Sequence, residues 1–249
     1  MICLATATYP KPENYISGQA SANEAKLYSE VKEVSGRYLI NRDAKLWLND
    51  ISGKLALDYG SGLGYSSDFL SKQGFSVIGT DINPHMIKAA MTAYPKINFV
   101  LIEKNQLPFP NESFDLVYSN LVLFEIDSLE SIRQYLVEGT RTLKKGGYFI
   151  AISGSEHVGN RKYNSVLNIT DYPENENPIS GSIIKVTSPE VNLTFNDYFW
   201  TENDYRQVFS AAGLDICTVH YPLGKEHEDY QWQDEKTKSP FIMILAKKA

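Results

Sequence analysis

Cysteine is nearly absent. The 249 residues hold two, Cys3 and Cys217, one near the start and one in an apolar run that reads as a buried strand. A disulfide framework is excluded, and no His/Cys spacing of a metal site occurs, so no metal is expected. Basic charge is also short: 24 Lys and Arg stand against 30 Asp and Glu, a net charge of −6. That balance argues against broad electrostatic binding to nucleic acid. Lys144-Lys145 is the one notable basic pair near the motifs below, and it is assigned to a helix C-terminus or to solvent. No apolar run approaches the length needed to cross a membrane. The opening MICLATATYP has no basic segment and too short an apolar stretch for a secretory leader. The expectation is a cytoplasmic protein, monomer or homodimer, with no membrane or nucleic-acid partner. Its length suits one α/β domain with an insertion and a large core.

What the chain does have is a dense stretch at 54–81, KLALDYGSGLGYSSDFLSKQGFSVIGTD. Leu55, Ala56 and Leu57 form an apolar run that stops at Asp58. Gly60, Gly62 and Gly64 follow at every second position, and Phe69 and Leu70 continue at helical spacing. Gly74 ends that helix, and a second apolar run ends at Asp81. The pattern is strand, glycine turn, helix, strand, with an acid at the tip of each strand. Such a turn lets the backbone approach a ligand, and the helix that follows points its free N–H groups at the same place. A carboxylate at the second strand tip suits a ribose diol.

Two ligand classes use this layout. A nicotinamide or flavin dinucleotide asks for G-x-G-x-x-G, but Tyr65 occupies the third glycine's place and the spacing here is G-x-G-x-G. Asp58 is awkward beside a pyrophosphate and suits a cation such as an amino-acid ammonium. A ligand with a ribose at one end and that ammonium at the other is S-adenosylmethionine. An NAD(P)-dependent oxidoreductase is the less favoured alternative. A protein that binds S-adenosylmethionine or S-adenosylhomocysteine without catalysis would carry the same motifs.

The stretch resembles motif I of class I S-adenosylmethionine-dependent methyltransferases, in their small-molecule, type 11-like branch. Three further segments agree in order: VIGTDINPHMI at 77–87, EKNQLPFPNESFDLVYSNLVLFEI at 103–126 and LKKGGYFIAI at 143–152. The resemblance implies a Rossmann-like, seven-stranded, mostly parallel sheet with helices on both faces and an antiparallel last strand. It implies S-adenosylmethionine as cofactor, S-adenosylhomocysteine as product and a small-molecule acceptor. Asp58, Gly60, Ser61 and Gly62 would hold the methionine end. Asp81 would hold the ribose, Ile82 and Met86 would flank the adenine, and Glu103, Lys104 and Asn105 would meet its edge. Asn120 and Leu121 would border the reaction centre, and Phe124 would face the acceptor. Many relatives carry a His near Phe124; this chain does not.

Periodicity and turn residues place strands at 54–59, 76–81, 97–102, 114–119, 147–153, 214–221 and 240–247. Helices are expected at 22–34, 39–50, 65–72, 84–93, 129–143 and 202–212. Ser21 with Glu24 reads as a capping box, Asn83 and Thr201 as caps, and Gly146-Gly147 as a helix end. Asp115 is assigned a structural role. By resemblance, residues 1–53 form a helical lid with Tyr15, Tyr28 and Arg37 near the acceptor, and 54–153 form the cofactor core. Residues 154–198 are an insertion, in which 182–187 and 191–198 alternate around Ser188-Pro189-Glu190; they are expected to form a β-hairpin lid over the acceptor. Residues 199–249 complete the single domain.

Methyl transfer from a sulfonium needs the acceptor held close and in line, with water excluded. A hydroxyl acceptor benefits from a general base. His157 follows the fifth strand and is the candidate; His220, within a strand, reads as structural. Tyr28, Phe124, Tyr198 and Trp200 are the expected acceptor pocket, with Tyr163 and Tyr172 as further aromatic walls.

Overall fold

The strand at Leu55–Tyr59 (β1) is buried along nearly its whole length, as a central parallel strand must be when helices cover both faces. The computed structural model describes Lys26 and residues 35–159, 161–164, 172–188 and 193–249. Cys3, Tyr15, Tyr28, the helix expected over 22–34 with Ser21 and Glu24, and Pro189-Glu190 of the hairpin turn lie outside the described residues.

After helix α1 (Ser35–Leu48) the order is β1, α2 (Tyr65–Lys72), β2 (Ser76–Asp81), α3 (Pro84–Ala93), β3 (Asn98–Leu101) and β4 (Phe114–Asn120). Then come α4 (Leu129–Thr142), β5 (Leu143–Gly154), β6 (Ile183–Ser188), β7 (Leu193–Tyr198), α5 (Glu202–Ala211), β8 (Leu214–His220) and β9 (Phe241–Lys248). The seven-stranded sheet runs β3-β2-β1-β4-β5-β9-β8, and β6-β7 form a separate antiparallel hairpin. The first five strands are parallel, while β9 is antiparallel to both β5 and β8. This is the mostly parallel α/β sheet with a hairpin that the sequence implies.

Strand alternation divides the core. Leu116 and Tyr118 of β4 face α1, where Ile40, Ala44 and Leu48 pack with Ala56, Ile150 and Met243. Val117 faces the other way, onto Ile132 and Leu136 of α4 and Tyr205 and Phe209 of α5. The order reverses between β1 and β4, so the crevice beyond their C-terminal tips is the topological switch point, where open α/β sheets bind ligands. Asp115 works at the opposite end. It accepts the Leu55 N–H at 3.0 Å and pairs with Lys144 at 2.7 Å, tying the starts of β1, β4 and β5 together.

Two expectations need correcting. Gly146-Gly147 do not end α4. The helix stops at Thr142, Leu143 is already extended, and the glycines sit in β5 where the register with β4 shifts. Cys217 is not buried: β8 is an edge strand with a register shift between Ile216 and Thr218, and the thiol is exposed. Asn83 caps α3 as expected, accepting from the His85 and Met86 N–H groups. Thr201 caps α5 in a full capping box with Asp204. Among the described residues no helix is long and apolar enough to cross a membrane.

Candidate cofactor and acceptor site

The glycine turn is shaped by long-range contacts. Gly60 and Ser61 both donate to the Thr80 carbonyl at 2.8 Å, latching the loop to β2. A Cβ on Gly60 would stand 2.4 Å from Val122 Cγ2, at a backbone φ of 81°, so no other residue fits there without displacing the segment after β4. Gly62 differs. A Cβ there would meet nothing within 4 Å, so its backbone borders open space.

Asp58 is fully buried at the tip of β1. Its Oδ2 accepts the Ser66 and Ser67 hydroxyls at 2.7 and 2.5 Å, and its Oδ1 has no partner among the described residues. Burial pushes the carboxyl up to about 6, with the two serine hydrogen bonds pulling the other way. A buried acceptor without a donor is costly, and an ammonium would supply the missing one. Ser61 Oγ and Asn120 Oδ1 are likewise buried without partners. Asp58 pairs with Tyr118 in the ladder, so the Gly60-Ser61 turn lies beside Ser119 and Asn120. Three buried oxygens without partners among the described residues therefore lie on the segments at the tips of β1 and β4.

Asp81, at the tip of β2, accepts the Gly62 N–H through Oδ2 and the Asn83 N–H through Oδ1, both at 2.8 Å. Burial raises its pKa and these N–H bonds lower it. Each carboxylate oxygen keeps acceptor capacity for a diol. Ile82 beside it is 42% exposed, an open apolar surface suited to an adenine face. Met86 is buried against Leu63, with Ala89 and Phe195 packed on the pair, so it supports the loop from below.

Glu103 and Lys104 are exposed on a tight turn closed by Gln106 N–H to the Glu103 carbonyl at 3.1 Å, with Asn105 at a φ of 56°. Glu103 also lines a shallow pocket of about 310 Å³ with Leu101, Ile102, Gln106, Leu107 and Pro108. Asn120 ends β4, and Leu121 follows at a φ of 60°, its N–H held by the Ile152 carbonyl. That conformation is strained for a leucine. It turns the chain into a short 3₁₀ segment, Leu123–Glu125, whose Phe124 lies against Gly154.

The expected acceptor residues fall into two groups: Tyr198 and Trp200 lie near the 3₁₀ segment that holds Phe124, while His157, Tyr163 and Tyr172 make contacts elsewhere. Tyr198 is half-buried, and its ring lies 6.4 Å from that of Trp200. Trp200 is a core residue whose indole donates to the Ile126 carbonyl. Arg37 stacks its guanidinium 4.1 Å over the Tyr65 ring at the start of α2. His157 sits on the β8 side of β5. Its N–H donates to Ser155 Oγ, its carbonyl accepts the Tyr163 hydroxyl, and its ring lies 4.8 Å from that of Tyr221. Burial, and then the charge of Lys238, lower its pKa. Tyr172 instead bonds the hairpin through the Thr187 hydroxyl. His220 pairs with Asp43 at 2.7 Å, as a structural residue would.

Sequence reasoning missed Ser66, Ser67, Val122 and Phe195. It also missed Asp197, although an acid in register with Phe195 on an alternating strand was a visible signal.

Residues 57–151 match the family described as methyltransferase domain. A demethylmenaquinone methyltransferase of Tropheryma whipplei is 27% identical over 147 residues, 54% of this chain and 60% of that protein. An uncharacterised methyltransferase of Schizosaccharomyces pombe is 27% identical over 210 residues, 82% of this chain and 72% of its own length. The chain thus spans about 60% of the length of the first curated relatives it matches. A solved S-adenosylmethionine-dependent methyltransferase from Mesorhizobium loti superposes with a TM-score of 0.61 at 17% identity, covering 93% of this chain and all of that one. At that identity the likeness is one of fold.

Proposed function

We propose that this chain, whose residues 57–151 are a methyltransferase domain of the class I, S-adenosylmethionine-dependent kind, transfers a methyl group from S-adenosylmethionine to a small-molecule acceptor at oxygen or nitrogen. The observation that carries the reading is the unpartnered Oδ1 of fully buried Asp58 beside the open face of Gly62. When bound, S-adenosylmethionine supplies an electrophilic methyl group on a sulfonium. The chain's own residues bind and orient. Asp58 receives the ammonium, and Asp81 accepts from the ribose hydroxyls while holding the Gly62 N–H. Ile82 covers one adenine face and Glu103 meets its amine. Asn120 marks the methionine end, and the β6-β7 hairpin, seated on Leu63 and Met86 through Phe195, shields the crevice from water.

Calorimetric titration with S-adenosylmethionine, S-adenosylhomocysteine and NADH tests this reading. Micromolar binding of the two adenosyl ligands alone is expected. Preference for NADH, or no adenosyl binding, would overturn it.

A further inference from the structure

The β6-β7 hairpin carries one side chain that breaks its own pattern. Phe195 and Asp197, two residues apart on β7, share a face. Phe195 packs on Leu63 of the glycine turn and Met86. Asp197 stands opposite Ile184 in the ladder, and Ile184 is buried. An acid therefore occupies an apolar position on the underside of the hairpin. It is half-buried and has no hydrogen-bond or ion-pair partner among the described residues. Its position along the strand locates it. Phe195 touches the glycine turn, and Trp200 is anchored to the Ile126 carbonyl just past the 3₁₀ segment that follows β4. Asp197 lies between these anchors, roughly 7 Å along the strand from Phe195. Its charge reaches Tyr205, whose hydroxyl bonds Ser153 near the end of β5, so it stands toward the C-terminal end of the sheet, on the side of β5.

We propose that Asp197 is the residue that receives the acceptor, and that the acceptor is a hydroxyl carried on an apolar body. The inference rests on the methyltransferase reading above. Phe195, Ile184 and Val186 offer the apolar body a wall on the same face of the hairpin. An alkylamine reaches neutral solution as an ammonium with no free lone pair and must lose its proton before it can attack. A hydroxyl keeps its lone pairs, so a carboxylate can take the proton as the new bond forms. The acceptor oxygen forms its bond to the methyl carbon as the methyl–sulfur bond breaks. The sulfur keeps that electron pair and becomes neutral, and the hydroxyl proton passes to Asp197. Burial alone pushes the Asp197 carboxyl up to about 7, which suits a group that takes up and releases a proton near neutrality.

The test uses the full chain saturated with S-adenosylhomocysteine and follows the binding of phenol, benzyl alcohol and benzylamine by ligand-observed NMR. The two hydroxyl probes are expected to bind the natural chain and to lose about tenfold or more in affinity to Asp197→Asn. Asp197→Glu should recover part of that loss. S-adenosylhomocysteine affinity should stay within about twofold in both variants. Equal binding of the hydroxyl probes to Asp197→Asn, binding of benzylamine alone, or binding of no probe would overturn the assignment. Failure of S-adenosylhomocysteine itself to bind would instead overturn the cofactor reading, so the two failures are distinct.

Discussion

Asp58 and Asp197 are both acids drawn out of water at the same end of the sheet, and their surroundings are built in opposite ways. Asp58 belongs to a local device. Its partners Ser66 and Ser67 lie on the next helix, and the loop between is latched to Thr80 and Asp81 within the same βαβ unit. Asp197 belongs to an assembled one. Its hairpin folds on itself, then meets Leu63 and Met86 more than a hundred residues earlier through Phe195. The first region is shaped by its own hydrogen bonds and leaves one oxygen without a partner. The second leaves a whole carboxylate unpaired. A site that must always hold the same cofactor can be built from short-range hydrogen bonds. On the proposed reading, the acceptor is received by a hairpin outside the main sheet, where a change disturbs the cofactor turn least.

Removing an acid from the local device should have the largest effect. Asp81→Ala deletes the carboxylate proposed to accept from the ribose and frees the Gly62 N–H. Cofactor affinity is expected to fall about a hundredfold, equivalent to roughly 3 kcal/mol, while thermal unfolding stays cooperative. Calorimetry paired with a melting curve checks both; unchanged affinity would break the ribose assignment.

Next is Asp58→Asn, where pH carries the information. Burial raises this carboxyl from 3.8 to about 6. Its contribution to stability is therefore fully present below about 3.8 and lost as pH rises through about 6. The Asn variant, unliganded, should be more stable than the natural chain above pH 6, by roughly 2–3 kcal/mol. The ligand's ammonium favours the ionised form, so cofactor affinity of the natural chain should rise with pH through about 6. The variant should bind about tenfold more weakly, with little pH dependence there. Melting curves and titrations at pH 5 and pH 7.5 measure both differences, and parallel behaviour of the two proteins would sink the ammonium assignment. Asp43 supplies a control of opposite sign. Burial opposes its ionisation, yet Arg42 and His220 hold it at about 2, so its contribution is present above 3.8 and lost only as pH falls through about 2.

A smaller change sharpens the contrast from the hairpin side. Phe195→Ala removes the contact with Leu63 and Met86 and should cost about 1–2 kcal/mol of stability. Faster release of S-adenosylhomocysteine in stopped flow, by severalfold, is expected if the hairpin covers the crevice; an unchanged release rate would detach hairpin from cofactor. The smallest effect is expected at Thr201→Ala, which breaks the capping box of α5 and should cost about 1 kcal/mol with binding untouched.

Much of the local structure was legible. Tyr65–Lys72, Ser76–Asp81 and Pro84–Ala93 have the bounds their periodicity, glycines and proline imply. The hairpin was visible in the alternation of its two strands. What escaped was set by partners distant in the chain. The Gly146-Gly147 pair carries the residues of a helix stop, but pairing with β4 recruits it into a strand. Cys217 sits in an apolar run, but that strand lies at the sheet edge and shifts register at the thiol. Neither outcome is encoded within a few residues of the site.

By itself the sequence determined the strand–glycine turn–helix–strand unit, the acids at its two tips and the kind of ligand they suit, because those depend on dihedral freedom, periodicity and charge within a short window. Only the tertiary structure decided that Gly60 must stay bare under Val122, that Asp58 keeps one oxygen free, and that the hairpin comes down on Leu63 and Met86 through Phe195. These follow from strand order and packing between distant segments, where burial sets the cost of every unpaired oxygen.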